Sequence, residues 1–328
     1  MIKKDNLIIY VSSYNNYNML EEVVLKNINT EGFEFINVDD NSFPEELEKG
    51  KKICKNHKIQ FLKNKSTGVQ MATQTVVDFV NEHRPNCKWL ICFQHDNWPI
   101  SKDFFIELSN MITRGPINDY GCIGFNVIDN GKYTGNSMGR FKQGHLPCGL
   151  MGHRHISNLH PTVRWVSPHH NKQLSEKYLE HHKCEKAFVI DIPTWAVTGW
   201  NIQKWNKFIK PTTDFNFLFW APDLIMQFAK NNIASLNITN LYIENCQEIK
   251  TKFGAPANLT HAIKQDIKKY SQENYGEHYK NWTKRWGWDF ENPAKTFPTV
   301  KEKYKNTLIN QLWEHNNSSS FPYKTIKL

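Results

Sequence analysis

The 328-residue sequence has no uninterrupted apolar stretch of membrane-spanning length. Its longest candidates are broken by charge, at Asp191 between Phe188 and Trp195 and at Asp223 between Phe215 and Phe228. A spanning helix needs about 18 or more apolar residues in a row. Met1-Ile2-Lys3-Lys4-Asp5 does not lead into an apolar run with a small-residue cleavage site, so a cytoplasmic protein is expected. The 7 cysteines are odd in number, scattered and without a C-x-x-C pair. That suits reduced thiols rather than a disulfide framework. Internal repeats and low-complexity linkers are also missing.

What is present is apolar and aromatic. Hydrophobic residues make up 39%, with 20 Phe, 11 Trp and 12 Tyr, enough for a large core and incompatible with a wholly disordered chain. The length fits one large domain or two fused ones. A net charge of +9 suits an anionic partner such as a nucleotide, a nucleic acid or a lipid headgroup surface.

Short β-branched runs alternate with helical spacings through the first third. Strands are expected at Leu7–Ser12, Phe33–Val38, Ile59–Leu62, Trp89–Phe93 and Cys122–Val127. Helical faces fall between them, at Leu20, Val23, Val24 and Ile28, at Val69, Ala72, Val76, Phe79 and Val80, and at Phe104, Phe105, Leu108, Met111 and Ile112. Such alternation implies βαβ units and a mostly parallel sheet covered on both faces. Ligands of such sheets sit beyond the carboxyl ends of the strands. The polar loops that follow the strands are therefore expected at one rim. Further strands are expected at Phe188–Ile192 and Leu236–Ile243, and helices around Leu224–Ala229 and Ile263–Tyr270.

Four strand-end segments carry the chemistry. They are Tyr10-Val11-Ser12-Ser13-Tyr14-Asn15, Val38-Asp39-Asp40-Asn41-Ser42, Lys63-Asn64-Lys65-Ser66-Thr67-Gly68 and Gln94-His95-Asp96-Asn97-Trp98-Pro99. In order and spacing over residues 5–110, and more loosely over 185–235, they resemble the GT-A fold glycosyltransferases, especially the family-two-like group. The resemblance implies a GT-A-like α/β fold with a mixed, mostly parallel sheet flanked by helices and a C-terminal acceptor region. It implies a nucleotide-sugar-binding half at 1–127, an acceptor-binding and catalytic half at 128–262, and a helical, basic-aromatic extension at 263–328.

A nucleoside-diphosphate sugar presents a base, a ribose and a diphosphate. The resemblance implies that Asp39 accepts from the base, with Asp40 and Ser42 supporting its loop and Ser12 and Tyr14 beside it. Lys63, Asn64 and Gly68 would lie along the nucleotide. The plainer alternative has Ser42 capping the helix begun by Pro44 and Glu45, and Ser66 or Thr67 capping the next. Gln94-His95-Asp96 occupies the place of the D-x-D motif, whose acids hold a divalent cation on the two phosphates. With Gln94 in the first position, Asp96 is the one obvious ligand for Mn²⁺ or Mg²⁺, and His95, if it assists, favours Mn²⁺. His95 as a packing residue is the alternative. The acceptor hydroxyl needs a base. The matching acid is Asp223, just after Pro222 at a helix start, with Asp214 as second choice; Asp223 as a partner of the helix dipole is the alternative. Trp195 would stack on a sugar face.

The resemblance thus implies a hexosyl- or pentosyltransferase, inverting and metal-assisted, acting on a saccharide or glycoconjugate. A DNA acceptor is the alternative, as in phage enzymes that glycosylate hydroxymethylated pyrimidines, and the segment Tyr279-Lys280-Asn281-Trp282-Thr283-Lys284-Arg285-Trp286-Gly287-Trp288, which interleaves bases and aromatics, favours it. As a closing helix with buried Trp and solvated Lys, the same segment would be structural. A nucleotidyltransferase is disfavoured by Ser12-Ser13-Tyr14-Asn15-Asn16, which lacks a Gly-rich signature, whereas a non-catalytic sugar- or nucleic-acid-binding module fits the Gln94 departure. Eight histidines between His145 and His182 lack zinc-finger spacing.

Overall fold

β1 (Leu7–Ser13) is apolar along both faces and buried along both, as a central parallel strand should be. Leu7, Ile9 and Val11 face one core; Ile8 and Tyr10 face the other. The computed structural model describes residues 4–129, 186–190, 197–215, 219–245, 277–278, 280–288, 293–311 and 325–328. The expected helix at Ile263–Tyr270, the histidine-rich stretch and Trp195 lie outside these residues.

After β1, a helical segment α1 is built from Tyr17–Met19, a π-helical turn at Leu20–Val24 and Leu25–Asn27. It is followed by β2 (Phe35–Asp39), α2 (Pro44–Asn56), β3 (Gln60–Lys63), α3 (Val69–His83) and β4 (Trp89–Phe93). A three-residue strand β5 (Asn97–Pro99) precedes α4 (Phe104–Arg114) and β6 (Cys122–Asp129). Then come β7 (Lys186–Ile190), β8 (Val197–Asn201), α5 (Ile202–Phe208), α6 (Trp220–Lys230) and β9 (Ser235–Asn245). α7 (Pro293–Lys303), α8 (Leu308–Gln311) and β10 (Thr325–Lys327) follow, with a 3-10 turn at Pro116–Asp119 and a helical stretch at 280–286 besides.

The strands form one mixed sheet in the order β10-β7-β9-β6-β8-β4-β1-β2-β3, with β5 on β9. β3, β2, β1 and β4 are mutually parallel. β8 runs antiparallel to both β4 and β6, so β6, and β9 parallel to it, point the same way as β4. The sheet is of the expected mixed α/β kind, with helices on both faces. On one face α3, α6 and the buried indoles of Trp282, Trp286 and Trp288 cover Ile8, Tyr10, Val38 and Leu90; on the other, α1, α2 and α4 cover Leu7, Ile9, Val11 and Ile91.

Two glycines permit close approaches. A Cβ on Gly50 of α2 would lie 2.2–2.7 Å from the ring of Tyr17, and one on Gly199 of β8 would lie 2.4 Å from Ile123. Of the described residues, none forms a helix long and apolar enough to cross a membrane.

Candidate functional site

The parallel register brings the strand ends together. Ser13 of β1 is level with Asp39 of β2, and Asp39 with Lys63 of β3, while Val11 is level with Phe93 of β4. The loops after β1, β2, β3 and β4 therefore share one rim. The Asp39 and His95 backbones are two strand spacings apart, roughly 10 Å.

The β2 and β3 loops are locked to each other. Asp40 accepts from Asn64 Nδ2 at 2.7 Å and from the Gly68 backbone N–H at 3.0 Å. Asn64 N–H returns to the Asp39 carbonyl at 2.8 Å, and Asn41 Nδ2 bonds the Ser66 carbonyl. Gly68, at φ +91°, lies in the left-handed region that presents this N–H, and it is the N-cap of α3. Neither Ser66 nor Thr67 caps that helix. Likewise the N-cap of α2 is Phe43, with Pro44 at the first position; Ser42 Oγ instead accepts from the Asn15 N–H at 2.9 Å and ties the β1 loop to the β2 loop. Burial pushes the Asp40 carboxyl above the usual range, Asn64 and Gly68 pull it back, and Asp39 adds a further push upward.

The two acids differ in access. Asp39 is fully buried, accepting from Tyr17 Oη at 2.7 Å and from the Ser42 N–H at 3.1 Å. Its carboxylate holds the loop from beneath. Asp40 keeps part of its surface, beside the half-exposed Tyr14 and the exposed Phe43, whose rings are 6.5 Å apart. Ser12 is partly exposed and Lys63 exposed on the same rim.

In the β4 loop, Gln94 is partly exposed and its carbonyl accepts from the Asn97 N–H. His95 is buried, with Nε2 3.0 Å from Ser13 Oγ; burial pulls its pKa down from 6.5 to about 3, so the ring is neutral. Asp96 is buried and accepts from Asn97 Nδ2 at 2.6 Å. β5 pins this loop to β9, pairing Asn97 with Asn245 and Trp98 with Glu244. Glu244 is thus at the same rim. Burial raises its pKa, and a hydrogen bond from Trp98 lowers it. The strand expected from the sequence, Leu236–Ile243, stops one residue short of Glu244, which nothing in the sequence pattern singles out.

Among the described residues, no three His, Cys, Asp or Glu side chains gather as a metal cage. Asp96 beside a neutral imidazole is still a fitting donor set for a cation held mainly by substrate phosphates, as Mg²⁺ and Mn²⁺ commonly are.

Asp223 has a structural setting. It is fully buried in α6; Oδ2 accepts from Gln70 Nε2 (3.1 Å) and Gln227 Nε2 (2.9 Å), while Oδ1 accepts from Trp286 Nε1 (2.9 Å) and Arg285 Nε (2.7 Å). Burial raises its pKa and Arg285, the two glutamines and Trp286 draw it down. Four donors fill both oxygens, so in this conformation the carboxylate ties α3, α6 and the C-terminal helical stretch 280–286 together and has no lone pair facing an acceptor. Asp214 lies on an exposed loop; its carbonyl accepts from His278 Nδ1 at 2.9 Å. Trp282, Trp286 and Trp288 are buried while Lys280 and Lys284 are exposed, so these indoles are not available to stack on bases.

No protein-family model and no curated protein matches the chain. Among solved structures it is similar to the mannosyltransferase PcManGT from Pyrobaculum calidifontis in complex with GDP-Man and Mn²⁺, at 10% identity over 73% of this chain and 56% of that one, with a TM-score of 0.43. It is also similar to GalNAc-T7 with UDP, GalNAc and Mn²⁺, at 12% identity over 82% of this chain and 54% of that one, with a TM-score of 0.48. The chain spans about half the length of these two proteins.

Proposed function

We propose that this chain is a glycosyltransferase that moves a sugar from a nucleoside diphosphate to a hydroxyl acceptor. One observation carries the reading: the loops after β1, β2, β3 and β4 form a single polar rim, cross-tied by Asp40 to Asn64 and Gly68, by Ser42 to Asn15 and by His95 to Ser13. A donor of this class needs a carboxylate near its base, an aromatic surface, and a cation site near its phosphates. Asp40, Tyr14 with Phe43, and Asp96 supply them in that order along the rim. Asp39 supports the base-recognising loop from below, and Lys63, one strand further along the rim, adds positive charge beside that loop.

A divalent cation bound with the donor would neutralise charge on the departing nucleoside diphosphate. Asp96 is its protein ligand in this proposal. The acceptor oxygen bonds to the anomeric carbon as the bond from that carbon to the phosphate oxygen breaks, and the hydroxyl proton passes to a carboxylate. We assign that carboxylate to Glu244 ahead of Asp214, because Glu244 stands on the rim next to the Gln94–Pro99 loop, where burial raises its pKa. Direct displacement inverts the anomeric centre. A saccharide or glycoconjugate acceptor is favoured over DNA, since burial of the three tail tryptophans removes the aromatic surface that a nucleic acid would use.

A thermal-shift screen of UDP- and GDP-sugars with Mn²⁺ or Mg²⁺ tests the reading. Saturating donor at 100 times its Kd stabilises the fold by about 2.7 kcal/mol. A rise in Tm with one nucleotide sugar and metal, followed by release of the nucleoside diphosphate, is expected. A flat screen with no turnover would leave a binding module of another kind.

A further inference from the structure

Four hydrogen bonds join the Asp39 carboxylate to the ring of His95. Tyr17 Oη donates to Asp39 Oδ2 at 2.7 Å, and Asn37 Nδ2 donates to Tyr17 Oη at 3.4 Å. Ser13 Oγ donates to Asn37 Oδ1 at 2.6 Å, and His95 Nε2 lies 3.0 Å from Ser13 Oγ. All five side chains are buried.

The direction of this chain is decided at one end. An ionised carboxylate can only accept. Tyr17 therefore commits its single proton to Asp39 and is left to accept from Asn37. Asn37 must turn its amide nitrogen to Tyr17 and its oxygen to Ser13. Ser13 spends its one proton on that oxygen and can only accept from the ring. His95 consequently carries its proton on Nε2, and Nδ1 is bare.

We infer that Asp39 sets the tautomer of His95 through Tyr17, Asn37 and Ser13, which makes these three positioning residues for the Gln94–Asp96 loop and makes Nδ1 the atom that His95 offers to a ligand. The tautomer stands on the hydrogen bonds alone; the ligand rests on the proposed donor site. Nδ1 has no protein partner among the described residues. A bare imidazole nitrogen binds a borderline divalent cation and repels anionic oxygen, so the ligand class is a cation of the Mn²⁺ type held jointly with a nucleotide. Its tautomer-setting partners correspond to the outer contacts that orient ligating histidines in general.

Long-range proton–nitrogen spectra of the metal-free, full-length chain with isotope-labelled histidine test this at neutral pH, with His95→Gln assigning the signal. The expected wild-type state is Nε2–H with unprotonated Nδ1. Tyr17→Phe frees Asn37 to rotate, and Ser13→Ala removes the acceptor, so each folded variant should show a mixed tautomer. Nδ1–H in the wild type overturns the inference, as does an unchanged Nε2–H state in every variant that folds. Mn²⁺ added with UDP or with GDP should broaden the His95 ring signals, and Tyr17→Phe should weaken Mn²⁺ binding about tenfold. Nucleotide and Mn²⁺ bound with His95 unbroadened overturns the ligand assignment. If the wild type binds neither nucleotide, the ligand assignment falls with the glycosyltransferase reading, and an Nε2–H signal still supports the hydrogen-bond chain.

Discussion

At the scale of single residues, burial decides which ionisable groups work and which hold the fold. Unfolding exposes His95, which then takes up a proton below its ordinary pKa of 6.5, whereas the folded ring stays neutral down to about 3. The unfolded state therefore binds more protons across that window, and stability falls as pH falls. The slope approaches about 1.4 kcal/mol per pH unit from this group alone. Urea denaturation of the metal-free chain should show His95→Gln losing roughly one proton's worth of that slope; an unchanged slope would place the ring in water. Asp223 makes a contrasting case. Asp223→Asn leaves Arg285 without its counter-charge and turns an amide N–H toward buried donors. A loss of about 3 kcal/mol is expected, read as a lower denaturation midpoint. Full stability together with abolished transfer would restore Asp223 as the base. Its partners explain why the sequence alone points toward catalysis: Pro222-Asp223 at a helix start is visible locally, whereas Gln70 and Trp286 are 153 and 63 positions away.

At the scale of elements, the parallel strands of the first third are the legible ones, whether buried on both faces like β2 and β4 or half-exposed like β3. Trp89–Phe93 has the expected bounds, and β1, β2 and β3 differ from expectation by one or two residues at their ends. β8 carries Thr198, Gly199 and Asn201 and has no apolar run to announce it; it is a strand because β4 and β6 flank it and Gly199 admits Ile123. β5 has three residues and exists through its pairing with β9. The π turn in α1 leaves no mark on the spacing of Leu20, Val23 and Val24. Helix starts were readable as regions but not as caps, because Ser42 serves a neighbouring loop and not its own helix. The contact of α2 with α1 gives a sharp test. Gly50→Ala drives a methyl into Tyr17, at a cost of about 1–3 kcal/mol. Because Tyr17 holds Asp39, nucleotide binding should weaken beyond what the lost stability explains. Destabilisation with unchanged binding would separate α1 from the site.

At the scale of the whole molecule, one sheet carries loops from distant parts of the chain to a common edge, from Ser13 through Asp39, Gly68 and Asp96 to Glu244. The shared direction of the first four strands was implicit in the βα alternation, but their order was not. Nor was the addition of Glu244, since it depends on β9 lying two strands beyond β4's neighbour β8. Glu244→Gln should lower turnover by about a hundredfold or more while leaving donor binding near its original value, as measured by initial rates and calorimetry. Equal rates would move the proton to Asp214. The most direct measurement of the common edge is a backbone amide shift map on titrating UDP and GDP with Mn²⁺. The perturbed amides should fall on Tyr14, Asp40, Gly68 and His95 together. Shifts confined to one loop, or gathered instead at the opposite end of the sheet around Lys88 and Asn201, would contradict the account.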